Sequence, residues 1–232
     1  MSLRILSGGA AQGLVQAVAS DFEAATKLSI AGTFGAVGAM RDKLLAGDAC
    51  DLLILTDALI TSLEEAGHVV PGTRTPLGRV RTGVAVRSGA SHPNVAEAAA
   101  LRRALQAADG IFFPDPKLAT AGIHFAKVLS ALGFDAASDP RLRTFPNGAT
   151  AMAAMARSTL AAPIGCTQVT EILNTAGVDL VGLLPREFEL ATVYTAAVAT
   201  RAQHPDAARH LIAMLRAPEA QKHRDRLGFE PA

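Results

Sequence analysis

Hydrophobic positions alternate along the chain between short apolar runs and longer segments with helical periodicity. Residues 4–6 predict a buried strand, and residues 12–28 then repeat apolar side chains at the spacing of one helix face. The apolar run at 51–55 predicts another buried strand, which a helix over 58–66 follows until it stops at Gly67. Strands that alternate with helices favour an α/β protein with mainly parallel sheets covered on both faces.

The same alternation continues to the end of the chain, without an internal repeat or a flexible linker. Further strands are predicted at 29–34, 80–87, 110–114, 162–166, 180–184 and 193–199. Further helices are predicted at 39–46, 95–108, 121–132, 149–160, 168–176, 205–215 and 218–226.

Two glycine-bearing turns join a predicted strand to a predicted helix, at residues 7–11 (SGGAA) and 33–38 (TFGAVG). Such turns leave free backbone N–H groups at a helix N-terminus, where the helix dipole is positive and anions bind. We therefore expect both turns to face one small anion. Hydroxyl side chains are scarce in them, which restricts the kind of anion.

Composition excludes several classes of protein. The 232 residues are 50% hydrophobic, which is enough to form the core of one two-lobed unit or two small domains. The formal net charge is +1 and aromatic residues make up 4%, so a basic nucleic-acid-binding face with stacking aromatics is not expected. No apolar run approaches the roughly 20 residues of a membrane span, so no membrane insertion is expected.

Metal and cofactor sites are not expected either. Cys50 and Cys166 are the only cysteines, so a four-cysteine metal site is excluded. Two cysteines are enough for one disulfide, but nothing in their spacing supports it. The histidines lack an HExxH motif or other short paired spacing. The chain begins without a basic segment and long apolar run, which predicts a cytoplasmic protein, or a periplasmic one whose signal peptide has been removed.

Several segments resemble the molybdate-binding proteins of ABC transporters, which belong to the type II periplasmic-binding-protein superfamily. They are the opening turn, residues 34–39 (FGAVGA), residues 47–57 (GDACDLLILTD) and residues 227–229 (LGF). The resemblance covers nearly the whole chain, and the segment that ends at Asp57 is the most specific part of it.

The resemblance implies two α/β lobes joined by two crossing strands, with lobe I at residues 1–80 plus 197–232 and lobe II at 81–196. It implies that a small anionic ligand lies in the cleft between them, at the carboxyl ends of strands. Four helix N-termini, near Ala11, Gly38, Ala121 and Gly148, are expected to converge there. An ABC transporter permease is the implied protein partner.

The chain departs from this family where its members place hydroxyl donors. Ala10 and Val37 stand where the family has a serine in each of the first two turns, and residues 163–167 lack the tyrosine of the late strand. Each donor lost from a buried anion costs about 1–3 kcal/mol. We therefore expect no high-affinity molybdate binding, and an organic carboxylate is favoured instead.

The candidate ligand-binding residues lie at predicted strand ends, helix starts and the crossing strands. For the polar candidates, and for Thr33 and Thr150, the alternative role is to cap a helix. Arg81 shares one strand face with Arg79, and it either forms a bidentate pair with a carboxylate of the ligand or faces solvent. The candidates are Ser7, Gly8, Gly9, Ala10, Gly35, Ala36, Val37, Thr56, Arg81, Thr120, Ala121, Asn147, Gly148, Cys166, Thr167 and Tyr194.

A second hypothesis is an enzyme, because the same fold resembles aconitate isomerase, which moves a double bond in a tricarboxylate. That chemistry needs a general base and donors that hold the developing negative charge. His124, Cys166 and Tyr194 are the candidate proton carriers. Each has a structural alternative: His124 as a half-buried side chain, Cys166 in packing and Tyr194 at the hinge.

Overall fold

A computed structural model describes residues 1–135 and 138–232. The strands are β1 (Ser2–Gly8), β2 (Ser29–Gly35), β3 (Leu52–Thr56), β4 (Thr75–Arg87), β5 (Gly110–Pro114), β6 (Leu142–Phe145), β7 (Pro163–Gln168), β8 (Val178–Leu183) and β9 (Ala191–Val198). The helices are α1 (Gln12–Thr26), α2 (Val37–Leu45), α3 (Asp57–Glu65), α4 (Ala98–Ala107), α5 (Thr120–Ala131), α6 (Gly148–Ala156), α7 (Val169–Leu173), α8 (Pro205–Arg216) and α9 (Gln221–Arg226).

The chain divides into two compact units. Unit 1 comprises Met1–Val80 and Thr192–Ala232, and unit 2 comprises Arg81–Ala191. The sequence interpretation ended the second lobe at residue 196 instead. Residues 194–198 of β9 pair with β3, however, and this pairing assigns them to unit 1.

Unit 1 is built on a sheet in the order β2-β1-β3-β9. β1 pairs in parallel with β2 and β3, and β9 runs antiparallel to β3. The apolar runs of β1 and β3 are almost fully buried, because helices cover the sheet. Phe22 of α1, Ile60 of α3 and Leu211 of α8 are fully buried in this core.

Unit 2 is built on residues 81–87 of β4 and on the strands β5, β6, β7 and β8. β5 pairs in parallel with β6 and β7, whereas β4 runs antiparallel to β7 and β8. One apolar cluster packs α4 and α5 on one side of the sheet, around Leu101, Phe125 and Leu129. Another cluster packs α6 on the other side, around Met152 and Met155.

The parallel strands of each unit deliver their carboxyl ends to one edge of its sheet, where the next helix begins. In unit 1 a short 3₁₀ turn, Gly9–Ala11, links β1 to α1, and α2 and α3 begin directly after β2 and β3. In unit 2, α5, α6 and α7 follow β5, β6 and β7. Crevices at such strand ends are the usual ligand sites of open α/β sheets.

The predicted α/β class is thus confirmed, and the predicted stop of a helix at Gly67 matches the end of α3. Gly67 takes a φ of 79° just after α3, in the left-handed region that favours glycine and ends helices. Within residues 1–135 and 138–232, no helix is both long and apolar enough to cross a bilayer.

Candidate functional site

The strand ends of unit 1 hold the two glycine-bearing turns. Gly8 ends β1, and its backbone lies against the side chains of Val37 and Tyr194. A Cβ atom on Gly8 would stand 2.8 Å from Val37 Cγ1 and 2.9 Å from Tyr194 Cε1. Tyr194 is paired in register with Thr56 at the end of β3, so both turns and β9 meet at one edge of the sheet.

The helix starts of these two turns have unpaired donors. The N–H groups of Gly9, Ala10 and Ala11 before α1 have no hydrogen-bond partner among the described residues, and neither do those of residues 37–39 in α2. No described side chain caps α2, and no described acidic residue lies in the first turn of α1 or α2. Unit 1 therefore presents two positive helix ends to an anion.

The hydroxyl groups at the same edge are committed elsewhere. Ser7 Oγ donates to the Gly8 carbonyl oxygen at 2.9 Å, and Thr56 Oγ1 accepts from the Leu59 N–H at 3.4 Å as the cap of α3. Thr33 is exposed on β2. Capping and local bonding thus account for Ser7 and Thr56, while Ala10, Ala36 and Val37 are buried apolar residues with no hydroxyl to offer.

Unit 2 has an open helix start at α5. The N–H groups of Thr120, Ala121 and Gly122 have no partner among the described residues, and the next N–H, of Ile123, bonds to the Ala119 carbonyl at 2.8 Å. Ala119 at the N-cap has no side chain able to accept a hydrogen bond. This helix end therefore resembles those of α1 and α2.

The start of α6 differs, because its first N–H groups are already bound. Those of Gly148 and Ala149 bond to the Glu171 carboxylate, and that of Thr150 donates to Asn147 Oδ1 at 2.9 Å. Ala151 N–H reaches the Asn147 carbonyl at 3.1 Å. Asn147 and Thr150 form a capping box, so the capping alternative accounts for both.

Glu171 is the main residue that the sequence interpretation missed. Its carboxylate is buried, and Thr167 Oγ1 donates to its Oε2 at 2.5 Å. Burial raises the pKa of Glu171, although hydrogen bonds from Thr167 and from three backbone N–H groups lower it. The sequence feature that could have identified Glu171 is its position four residues after Thr167, where a predicted strand leads into a predicted helix.

Further polar groups lie at the end of β7. Gln168 is its last residue, is almost fully buried, and pairs in register with Thr82 of β4. The hydroxyls of Thr82 and Thr170 are buried without a hydrogen-bond partner among the described residues. Strand alternation places Thr82 and Gln168 on one face of the sheet and Thr167 on the other. Sequence reasoning stopped at Thr167 and missed them.

Two candidate proton carriers have structural roles. His124 Nε2 lies 2.8 Å from the Phe188 carbonyl oxygen, so that nitrogen carries the proton it donates. Cys166 is buried in the apolar cluster of α4 and α5, and burial raises its pKa well above the ordinary value. Its position in this core argues against the nucleophile and ligand-contact roles. Packing explains Cys166.

Both crossing-strand arginines have carboxylate partners. Arg81 Nη1 lies 3.4 Å from Glu189 Oε1 within unit 2. Arg79 contacts Glu230 Oε2 through two nitrogens at 3.2 and 3.0 Å, and the backbones of these residues also bond. Arg79 therefore fastens the C-terminal segment to β4. In the described part of the chain, no group of three or more His, Cys, Asp or Glu side chains is arranged to hold a metal ion.

A family model for bacterial extracellular solute-binding proteins matches residues 3–230. The chain belongs to that family. It is therefore a solute-binding protein, and the predicted resemblance to molybdate-binding proteins is confirmed at the level of family and fold.

Individual relatives span the whole chain. An aconitate isomerase from a Pseudomonas species is 28% identical over 237 residues, covering 99% of this chain and 88% of that protein. The periplasmic molybdate-binding protein of Azotobacter vinelandii has a similar structure, with a TM-score of 0.81, 17% identity and full coverage of both chains. The sulfate-binding protein SubI of Mycobacterium tuberculosis gives a TM-score of 0.75 and 18% identity over 100% of this chain and 87% of its own.

Proposed function

We propose that this solute-binding protein captures a small organic carboxylate in preference to molybdate and passes it to an ABC transporter permease. The family is described as extracellular, which supports a location outside the cytoplasmic membrane. Solved structures with the same fold include proteins of ABC transporters. The ligand is expected at the strand ends where the helices begin.

One observation carries this proposal: α1, α2 and α5 each start with backbone N–H groups that no described residue accepts from. Helix ends of this kind bind carboxylates and other anions through fixed donors and a positive dipole. They also explain how a chain with a net charge of +1 can bind an anion without a dedicated cation.

The preference for a carboxylate rests on what these sites lack. A tetrahedral oxyanion has four oxygens to satisfy, and each donor missing from a buried site costs about 1–3 kcal/mol. Ala10 and Val37 offer no hydroxyl, Ser7 bonds to Gly8, and the start of α6 is occupied by Glu171. A carboxylate with two oxygens per group matches the smaller set of free donors better.

Titration calorimetry with di- and tricarboxylates, molybdate and sulfate tests the proposal. We expect a carboxylate to bind at least tenfold more tightly than molybdate; submicromolar molybdate binding contradicts the proposal. Ala36→Asp places a charged cap at α2, and Ala36→Asn is the matched neutral cap. Carboxylate affinity is expected to fall at least tenfold more in the Asp variant. Equal affinities in the two variants would remove α2 from the site.

An isomerase of small polycarboxylates is the second candidate, and the aconitate isomerase relative supports it. Of the three proton carriers considered, Tyr194 is the one that lies at a strand-end turn, against Gly8. Incubation with cis- or trans-aconitate, followed by NMR, tests this activity. Turnover that Tyr194→Phe abolishes supports the enzyme. Thermal stabilisation by aconitate without turnover supports the binding protein.

A further inference from the structure

The start of α6 differs from those of α1, α2 and α5 because the chain supplies its own anion there. We propose that Glu171 determines specificity, acting as a fixed internal anion that keeps a ligand's oxyanion away from the N-terminus of α6. The inference deepens the proposed function and rests on it, since it concerns which helix ends remain for the ligand.

The hydrogen bonds made by the N–H groups at the start of α6 support this role. A helix start leaves four N–H groups without an intrahelical partner. In α6 the N–H of the N-cap residue Asn147 donates to Thr150 Oγ1 at 3.2 Å, those of Gly148 and Ala149 bond to the Glu171 carboxylate, and that of Thr150 donates to Asn147 Oδ1 at 2.9 Å. All four N–H groups of this helix start are therefore bonded, whereas three at the start of α5 have no partner in the part of the chain that the structure describes.

The space around Gly148 fits the same interpretation. A Cβ atom on Gly148 would overlap Glu171 Oε2 and Thr167 Oγ1, at 1.9 and 2.0 Å. Any side chain at this position would therefore displace the carboxylate from the helix end. Glycine lets Glu171 approach the backbone N–H groups, and Thr167 supplies a further donor at 2.5 Å.

Electrostatics makes the exclusion effective. The Glu171 carboxylate offsets the positive end of α6, and two carboxylates close together in a buried site repel each other. A ligand anion placed at this helix end would have to displace Glu171 or lie beside it. Within unit 2, the negative charge of a ligand is therefore directed away from the start of α6 and towards the open start of α5.

Replacement of Glu171 by a smaller side chain tests this role. Glu171→Ala leaves the hydroxyl of Thr167 and the backbone N–H groups of Gly148, Ala149 and Gln168 without this acceptor, and we expect a lower melting temperature. Formate is expected to raise that temperature with increasing concentration, and to do so more than in the wild type, by filling the vacated site. Formate that stabilises both proteins equally overturns the proposal. If the variant is unfolded without formate, we expect formate to restore the folded state and formamide at the same concentration not to restore it. Failure of formate to restore folding overturns the proposal.

Glu171→Gln provides a second variant that keeps the shape and an acceptor oxygen. Without the charge, it is expected to bind sulfate and molybdate about tenfold more tightly than the wild type, and unchanged affinity overturns the exclusion. The two proposals fail separately. Formate rescue with no carboxylate ligand for the wild type contradicts only the proposed function. Tight carboxylate binding by the wild type without rescue contradicts only the role of Glu171.

Discussion

The ring of Tyr194 lies against the backbone of Gly8, so that a Cβ atom on Gly8 would stand 2.9 Å from Tyr194 Cε1. The same Cβ atom would stand 2.8 Å from Val37 Cγ1. Gly8→Ala therefore forces one of these side chains to move, at a cost of about 1–3 kcal/mol. We expect urea denaturation to show this loss and calorimetry to show ligand affinity at least tenfold weaker.

Gly182→Ala is the matched control for Gly8. A Cβ atom there would meet its nearest neighbour, Val95 Cγ2, at an ordinary contact distance of 3.5 Å. Its effects on stability and affinity are expected to be small. A Gly8 variant that loses stability but keeps full ligand affinity would show that this turn supports the fold without contacting the ligand.

Asp51 gives a prediction about stability alone. Its buried carboxylate accepts N–H groups from Arg4 at 2.8 Å, Gln203 at 2.6 Å and His204 at 2.9 Å. Asp51→Ala leaves these donors without their charged acceptor, and we expect a loss of about 3 kcal/mol or more in urea denaturation. Asp48→Ala is the control, because its half-exposed ion pair with Lys43 is worth less than about 1 kcal/mol. Similar losses in the two variants would contradict this assignment.

Much of the fold could be predicted from the chain alone, because alternating apolar runs and helical periodicity are local signals. The segment that ends at Asp57 carried the family resemblance, and Asp51 within it joins three parts of unit 1. The length of β4 was underestimated: it begins at Thr75, although the predicted strand began at residue 80. Pro76 and Gly78 interrupt the apolar pattern there.

The free donors at helix starts are a local property, and the sequence indicated those of the two glycine turns. The partner of α6 was not predictable, because it depends on Glu171 reaching Gly148 across 23 positions of the chain (171 − 148). His124 posed the same difficulty, since its partner is the distant Phe188 carbonyl. Periodicity places side chains on faces; it does not identify the long-range partner of each polar group.

Glu171 also predicts a pH dependence of stability. Burial raises the pKa of Glu171 in the folded protein, whereas an unfolded glutamate has a pKa of about 4.3. Below that pH both states are protonated and the burial cost is absent; as pH rises towards the folded-state pKa, the unfolded chain loses its proton first and stability falls. Glu171→Gln does not titrate there. We expect the free energy of unfolding of the Glu171→Gln variant, relative to that of the wild type, to increase between pH 4 and the folded-state pKa of Glu171. Above that pKa the difference is expected to stay constant.

Urea denaturation at half-unit pH steps measures that difference. Glu65→Gln, at an exposed position of α3, is the control for removing one carboxylate from the protein. A raised pKa for Glu171 would be contradicted if the difference in free energy of unfolding between Glu171→Gln and the wild type stayed constant or decreased as pH rises.

Val37 offers the most direct test of why molybdate is disfavoured. Val37→Thr keeps the branched side chain beside Gly8 and adds a hydroxyl donor at the start of α2. A hydrogen bond to a charged group contributes about 1.5–3 kcal/mol, so molybdate affinity is expected to rise about tenfold to a hundredfold. Val37→Ala is the control, because it also alters packing but adds no donor, and its molybdate affinity should not rise. Equal affinities of the Thr and Ala variants would mean that a missing hydroxyl at this turn does not limit molybdate binding, and that the selectivity of the chain lies in its other helix ends.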